Sequence, residues 1–429
     1  MKLSSLVTAT SASLAAGSLH ARHPNGAHKN PFLGRTHYVN PTYAEKLNTT
    51  LQAFISQNDT LNAARTRSAM NVGSFVWVSK MADLPNIDAA ITGARAAKEA
   101  TGEDQIVGLV LYDLPNRDCS AGESAGEFVL DEDGLNRYKT EFVDPYAEAV
   151  AGAEDVRFAI VLEPDSLGNA VTNTGIELCN VSIPAYKEGI AYAIEKLQFD
   201  HVSLYIDAAH GGWLGWDDNL EPTAAVMAEV VELAGPRAKI RGFSINVSNY
   251  NPYNAVVREA YTEWSNSWDE SHYATSLSPH LEEKGLPAHF IVDQGRVALP
   301  GARAEWGDWC NVNPSGFGMR PTTDTNNPNV DSIVWIKPGG EADGACGMEG
   351  APAAGEWFDE FAQMLVKNAQ PCLEPTWPKG PLDEPEPTET ATPTPSNTVT
   401  ATRKPTRTAS GRPRPTRTPR PGRPGHGGY

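Results

Sequence analysis

The sequence predicts an α/β fold, a (β/α) barrel of parallel strands, on three observations. Seven short apolar runs rich in Val, Ile, Phe and Tyr lie between residues 70 and 345, each followed by acidic or amide residues and then by an amphipathic stretch. The runs are nearly continuous rather than alternating, as strands covered on both faces must be. Acids, amides and a lysine gather just past the C-terminal ends of several runs. In a barrel those ends converge on one mouth, whereas an open sheet scatters them along an edge.

In order, the runs are SFVWVS (74–79), IVGLVLYD (106–113), RFAIVLEPD (157–165), VSLYIDAA (202–209), KIRGFSINVSNY (239–250), HFIVDQG (289–295) and SIVWIKPGG (332–340). Between them, IDAAITGARAAKEA, LNRYKTEFVDPYAEAVAG, IPAYKEGIAYAIEKL and AAVMAEVVELAG place apolar residues at helical spacing. Such alternation favours parallel strands joined by helical crossovers. No Gly-rich phosphate loop follows the first or second run, which disfavours a nucleotide-binding sheet.

The 429-residue chain divides into three parts. Residues 1–21 read as a secretory signal: Lys2, a mildly apolar stretch, then small residues offering a cleavage point. Residues 22–372 form the body. From 373 to 429 the composition changes, with 13 of the 33 prolines set among Thr, Ser, Glu and then Arg, and no fold is expected there.

Charge is divided just as unevenly. The formal total is −18, from 35 Lys+Arg against 53 Asp+Glu, yet residues 401–429 hold eight basic residues and no acidic ones. An acidic body does not neutralise phosphates, so a nucleic-acid partner is not expected and a neutral substrate fits better. No stretch reaches the ~18 apolar residues that span a bilayer. The expected protein is an extracellular monomer.

Cys119, Cys179, Cys310, Cys346 and Cys372 lack C-x-x-C spacing, which favours up to two disulfides with one thiol left over. Asn48, Asn58, Asn180 and Asn246 stand in glycosylation sequons.

Four segments concentrate the chemistry: LYDLPNRDCSAGESAGE, VLEPDSLGNAVTN, YIDAAHGGWLGW and WIKPGGEADG. Each sets a carboxylate beside a turn-forming Pro or Gly at a strand end, and two carry nearby Trp. Acids with Trp suit sugars, whose C–H faces stack on indole rings while their hydroxyls bond to carboxylates and amides. Splitting a glycosidic bond needs one carboxylic acid of raised pKa and further carboxylates to orient water or stabilise an oxocarbenium-like transition state. Clustered acids raise one another's pKa.

These segments, with NVSNYN, FIVDQGR, WGDWCNV and GFGMRP, resemble the secreted cellulases of glycoside hydrolase family six over about residues 30–370. The resemblance implies a distorted barrel with a seven-stranded core and inverting hydrolysis of β-1,4-glucan without a cofactor or metal. It implies that Asp165 is the general acid and that Asp118 is the neighbour that raises its pKa. It further implies that Tyr112 presses on the distorted sugar ring, that Ser124 holds the nucleophilic water and that Asp343 is the base candidate, unless a water chain serves instead. Trp77, Asp207, His210, Trp213, Asn249, Trp309, Lys337 and Glu341 match residues lining glucose subsites. Cys119 with Cys179 and Cys310 with Cys346 match the family's two disulfides, while a Cys310–Cys372 bridge stays open as an alternative.

One departure bears on the mode of action. Only Gly344 and Ala345 separate Asp343 from Cys346, where chain-end-cutting members of the family carry a long roofing loop. The other roofing loop, residues 119–134, is not obviously shortened. The expected site is thus an open or partly open cleft that cuts internal bonds, with a cellobiohydrolase as the alternative and a silent glucan-binding protein as the rival of another class. Asp113, Asp293, Arg296 and Arg320 are read as structural, and Trp335, Trp357 and Trp264 as core.

Overall fold

The computed structural model describes residues 29–369 and 373–377. Eight parallel strands form one curled sheet: β1 (Thr36–His37), β2 (Val76–Val78), β3 (Gln105–Leu111), β4 (Arg157–Leu162), β5 (Val202–Asp207), β6 (Gly242–Ile245), β7 (Phe290–Asp293) and β8 (Val330–Val334). From β3 to β8 the strands pair in chain order. Both β1 and β2 pair with β3, β1 at its start and β2 at its end. The seven anticipated strands are all present. The unanticipated β1 is only two residues long and carries no apolar run.

The curl makes a distorted barrel that a strand ladder does not close. At the seam between β2 and the chain leaving β8, the Phe75 N–H donates to the Trp335 carbonyl at 3.0 Å, and Trp77 Nε1 donates to the Ile336 carbonyl at 2.9 Å. The helices Pro41–Ser56 and Asp359–Lys367 cover this side, with Tyr43, Leu47, Phe361 and Leu365 packed in one cluster with Trp335. Burying each such side chain stabilises the fold by about 1.5–3 kcal/mol.

Strand residues alternate between two cores, so the runs look continuous in sequence. Ile106, Val110, Val161, Tyr205, Ile291 and Val334 fill the barrel around Phe75. Val107, Leu109, Phe158, Ile160, Leu204 and Phe243 point outward under the helices. Gly108 must be glycine, because a Cβ there would lie 2.5 Å from the Phe75 ring.

The crossover helices fall where the sequence placed them, at Pro85–Thr101, Glu177–Lys196 and Asp217–Leu233. The stretch 135–152 breaks into two short helices around a π-helical turn, Tyr138–Val143. That turn aims the Tyr138 hydroxyl at Glu163 Oε1, 2.8 Å away.

Three expectations need correcting. Leu373 is buried and the Thr376 N–H donates to the Ala64 carbonyl, so the packed body continues past residue 372. Asn246 is fully buried, its amide donating to the Asn251 and Asp293 carbonyls, so that sequon is closed to a glycan, whereas Asn48, Asn58 and Asn180 are exposed. Trp264 is 84% exposed and is no core residue, while Trp335 is buried as expected. The expected signal, Cys372 and nearly all of the tail lie outside the described residues.

Candidate active site

The C-terminal ends of the strands open into one cleft of about 680 Å³. Of the thirteen catalytic and subsite candidates, twelve line it: Trp77, Tyr112, Asp118, Ser124, Asp165, His210, Trp213, Asn249, Trp309, Lys337, Glu341 and Asp343. The chain leaves several strands through left-handed backbone: Asp118 (φ 57°), Glu163 (51°), Asp165 (66°), Ala209 (53°) and Asn246 (61°). Each such non-glycine residue costs about 1–2 kcal/mol. Strain of this kind collects where side-chain placement matters more than stability.

Asp207 is the exception. It is buried at the end of β5 beneath Asp165, and Oδ2 accepts the backbone N–H groups of Asp165 and Ala209, both at 3.0 Å. It holds the Asp165 backbone from below and is absent from the cleft lining. Burial pushes its pKa up to about 7, against the hydrogen bonds from Asp165, Ala209 and Ser244 that favour the anion.

Asp165 is half-buried, and among the described residues no group donates a hydrogen bond to its carboxyl. Burial raises its pKa well above the carboxylate range, and the charges of Asp207, Asp118 and Asp343 raise it further. Asp207 has donors and Asp165 has none, so a proton shared by this pair resides on Asp165. That is the condition for a general acid.

Across the loop after β3, Asp118 Oδ2 accepts the Ser124 N–H at 2.8 Å and the Ser124 hydroxyl at 3.1 Å, while Ser124 Oγ lies 2.9 Å from the Tyr112 hydroxyl. Arg117 braces this group: its guanidinium donates to the carbonyls of Ser124, Ser79 and Tyr112 and stacks 4.3 Å above the Tyr112 ring. Sequence reasoning missed Arg117, although it adjoins Asp118 in PNRDC. The Cys119–Cys179 disulfide ties the same loop to the helix Glu177–Lys196.

Asp343 sits among donors. Both oxygens are within 2.9 Å of Arg296 Nη1, and Oδ2 also accepts the Tyr250 hydroxyl (2.7 Å) and the Asn311 N–H (2.9 Å). The Cys310–Cys346 disulfide closes the neighbouring loop. Arg296 is therefore an ion-pair donor, as read from sequence, but one pledged to the base candidate. Asp293 is structural as expected: it accepts the N–H groups of Ser248, Gly295, Ile336 and Lys337 and so fastens three strand ends together. Asp113 is buried against Arg117, its pKa pushed to about 8 by burial.

The aromatic candidates flank these acids. Trp77 meets Tyr112 edge-on at 5.4 Å, with Lys337 Nζ 5.7 Å from the indole. Glu341 pairs with Lys46 at 2.6 Å. On the other side Trp213 Nε1 donates to the Thr172 hydroxyl, and Trp306, a further cleft residue missed from sequence, packs on Gly212, where a Cβ would lie 2.1 Å from the ring. Beneath them His210 contacts Asn251, whose amide donates to Glu270. Burial and then Arg303 lower the His210 pKa to about 3, so the imidazole is neutral.

The two roofing loops touch. Glu123 accepts the Ala345 N–H at 3.1 Å and packs against Gly344.

The chain is similar to known proteins along most of its length. A family described as Glycosyl hydrolases family 6 matches residues 32–369. The 1,4-beta-D-glucan cellobiohydrolase CEL6B of Podospora anserina is 63% identical over 82% of this chain and 85% of its own. Endoglucanase CEL6B from Humicola insolens superposes with a TM-score of 0.78 at 57% identity, over 80% of this chain and 99% of that one. CcCel6C, a glycoside hydrolase family 6 enzyme from Coprinopsis cinerea, gives 0.79 at 51% identity, over 81% and 100%.

Proposed function

Because the chain belongs to glycosyl hydrolase family 6, we propose that it is a secreted cellulase that cuts internal β-1,4-glucosidic bonds with inversion, Asp165 serving as general acid. The observation that carries this reading is the Asp165 carboxyl, without a donor among the described residues, its pKa raised by burial and by the charges of Asp207, Asp118 and Asp343. Asp165 gives its proton to the departing glycosidic oxygen as the C–O bond breaks. A water on the opposite face, positioned by Ser124 and Tyr112, attacks the anomeric carbon and releases its proton through solvent towards the Asp118 and Asp343 side. Asp343 is engaged by Arg296, Tyr250 and Asn311, which favours a relayed proton over direct transfer. Two disulfides support an oxidising, extracellular setting.

Internal cutting is supported by the two-residue link between Asp343 and Cys346 and by the likeness to a Humicola endoglucanase. A cellobiohydrolase is the second reading, favoured by the Glu123 contact that joins the two roofing loops and by the likeness to a Podospora cellobiohydrolase. Carboxymethylcellulose viscosity separates them: internal cuts collapse it early, whereas chain-end release leaves it nearly constant per reducing end formed. Anomeric NMR on soluble cello-oligosaccharides tests the stereochemistry. An α-anomer as first product fits inversion, and a β-anomer would refute it.

A further inference from the structure

The most exposed large apolar side chains lie together in one segment. Val256 is 97% exposed, Trp264 84% and Val257 74%, against 58% for Leu233, the next among the described residues. The segment is nonetheless pinned. Thr262, Ser265 and Ser267 are buried, and the Ser265 N–H closes a turn on the Thr262 carbonyl. Arg258 stacks 3.7 Å from Trp268, which also stacks on His272, and Tyr261 meets Trp306 edge-on at 5.2 Å.

Trp306 lines the catalytic cleft and Tyr261 packs on it, so the segment that carries Trp264 adjoins the cleft. Trp264 follows Tyr261 by three residues, just past the 3₁₀ turn Ala260–Thr262. An indole held out by a rigid turn loses little conformational entropy when it is covered.

We propose that Trp264, with Val256 and Val257, forms an accessory binding patch for β-1,4-glucan chains, continuing the cleft onto the surface of insoluble cellulose. The occupant follows from chemistry and from continuity with the cleft. The flat C–H face of a glucose unit stacks on an indole ring, the contact that the cellulase reading assigns to the cleft tryptophans. Glu259 and Glu263 flank the patch and would repel a second copy presenting the same face, but they leave a neutral polysaccharide unaffected. The inference rests on the cellulase reading for its ligand.

The test compares the full-length protein with its Trp264→Ala variant, measuring adsorption to microcrystalline cellulose in the cold and turnover of soluble cellopentaose. We expect the partition coefficient to fall by about three- to tenfold, the scale of one aromatic contact, with soluble turnover and melting temperature unchanged. Trp264→Phe should restore most of the adsorption. An unchanged isotherm, a wild type that does not adsorb, or an equal loss of soluble turnover would overturn the proposal. So would a dimer in sedimentation that Trp264→Ala dissolves without altering adsorption. Should the wild type hydrolyse no glucan while Trp264→Ala still lowers adsorption, the hydrolase reading fails and the patch stands.

Discussion

Asp165 and Asp343 line the same cleft and carry the same carboxyl group, yet their surroundings are opposites. Around Asp343 the fold supplies Arg296, Tyr250 and the Asn311 N–H, a set that only an anion satisfies. Around Asp165 it supplies burial, no donor among the described residues and three further carboxylates. The two carboxyls are thus set apart by what surrounds them: one wall is built of hydrogen-bond donors and the other supplies none among the described residues. The Asp343 wall is self-consistent as a folding problem, whereas the Asp165 wall gives up stability to keep an acid protonated.

Breaking the compensated wall should have the largest effect. Arg296→Met leaves the Asp343 charge buried and unpaired, and thermal or urea unfolding should show a loss of about 3–5 kcal/mol. Asp165→Asn, by contrast, removes a carboxyl that nothing compensates and should leave the melting temperature unchanged or higher. If both variants destabilise equally, the contrast between the walls is wrong.

Removing the support beneath the acid comes next. Asp207→Asn deletes the first of the neighbouring charges that hold the Asp165 pKa up. The alkaline limb of the kcat profile should move to lower pH, and kcat at neutral pH should fall by about tenfold, equivalent to about 1.4 kcal/mol. An alkaline limb that stays in place would mean that the Asp207 charge does not hold this pKa up.

The proton-holding character extends to stability. Burial raises Asp207 and Glu163 to about 7 and Asp113 and Glu270 to about 8, so between the ordinary carboxylate range and these values the folded state binds more protons than the unfolded one. These four groups make stability fall as pH rises towards 8, while buried His210 and His37, lowered to about 3 and about 4, oppose that fall below pH 6.5, so the net decline lies above it. Melting temperatures across pH 6.5–8 should decline by several degrees, and Glu270→Gln should flatten the upper part of that decline.

Glu123→Ala should have the smallest effect. It removes one acceptor between the roofing loops and should cost under about 1 kcal/mol. Its signature is a greater viscosity loss per reducing end as the roof loosens.

The strands were legible in the sequence because burial on both faces leaves nothing but apolar residues between turn signals. Thr36–His37 was not, since two polar residues borrowing the edge of β3 carry no pattern. The acids were legible as strand-end carboxylates in long motifs. Their environments were not: the partner of Asp343 comes from 47 residues away, and Asp207 reads as a cleft residue until its carboxylate is seen to accept the Asp165 and Ala209 N–H groups. Trp264 fails for the opposite reason, because composition expects an indole to be buried and only the turn that presents it says otherwise.

The central claim is that Asp165 delivers the proton. The direct measurement is kcat of Asp165→Asn on cellotetraose and on a cellobioside whose phenol leaving group is acidic enough to depart without protonation. The account predicts a loss of about 10²–10⁴-fold on cellotetraose and little loss on the activated substrate. Equal losses on both, or retained activity on cellotetraose, would contradict it.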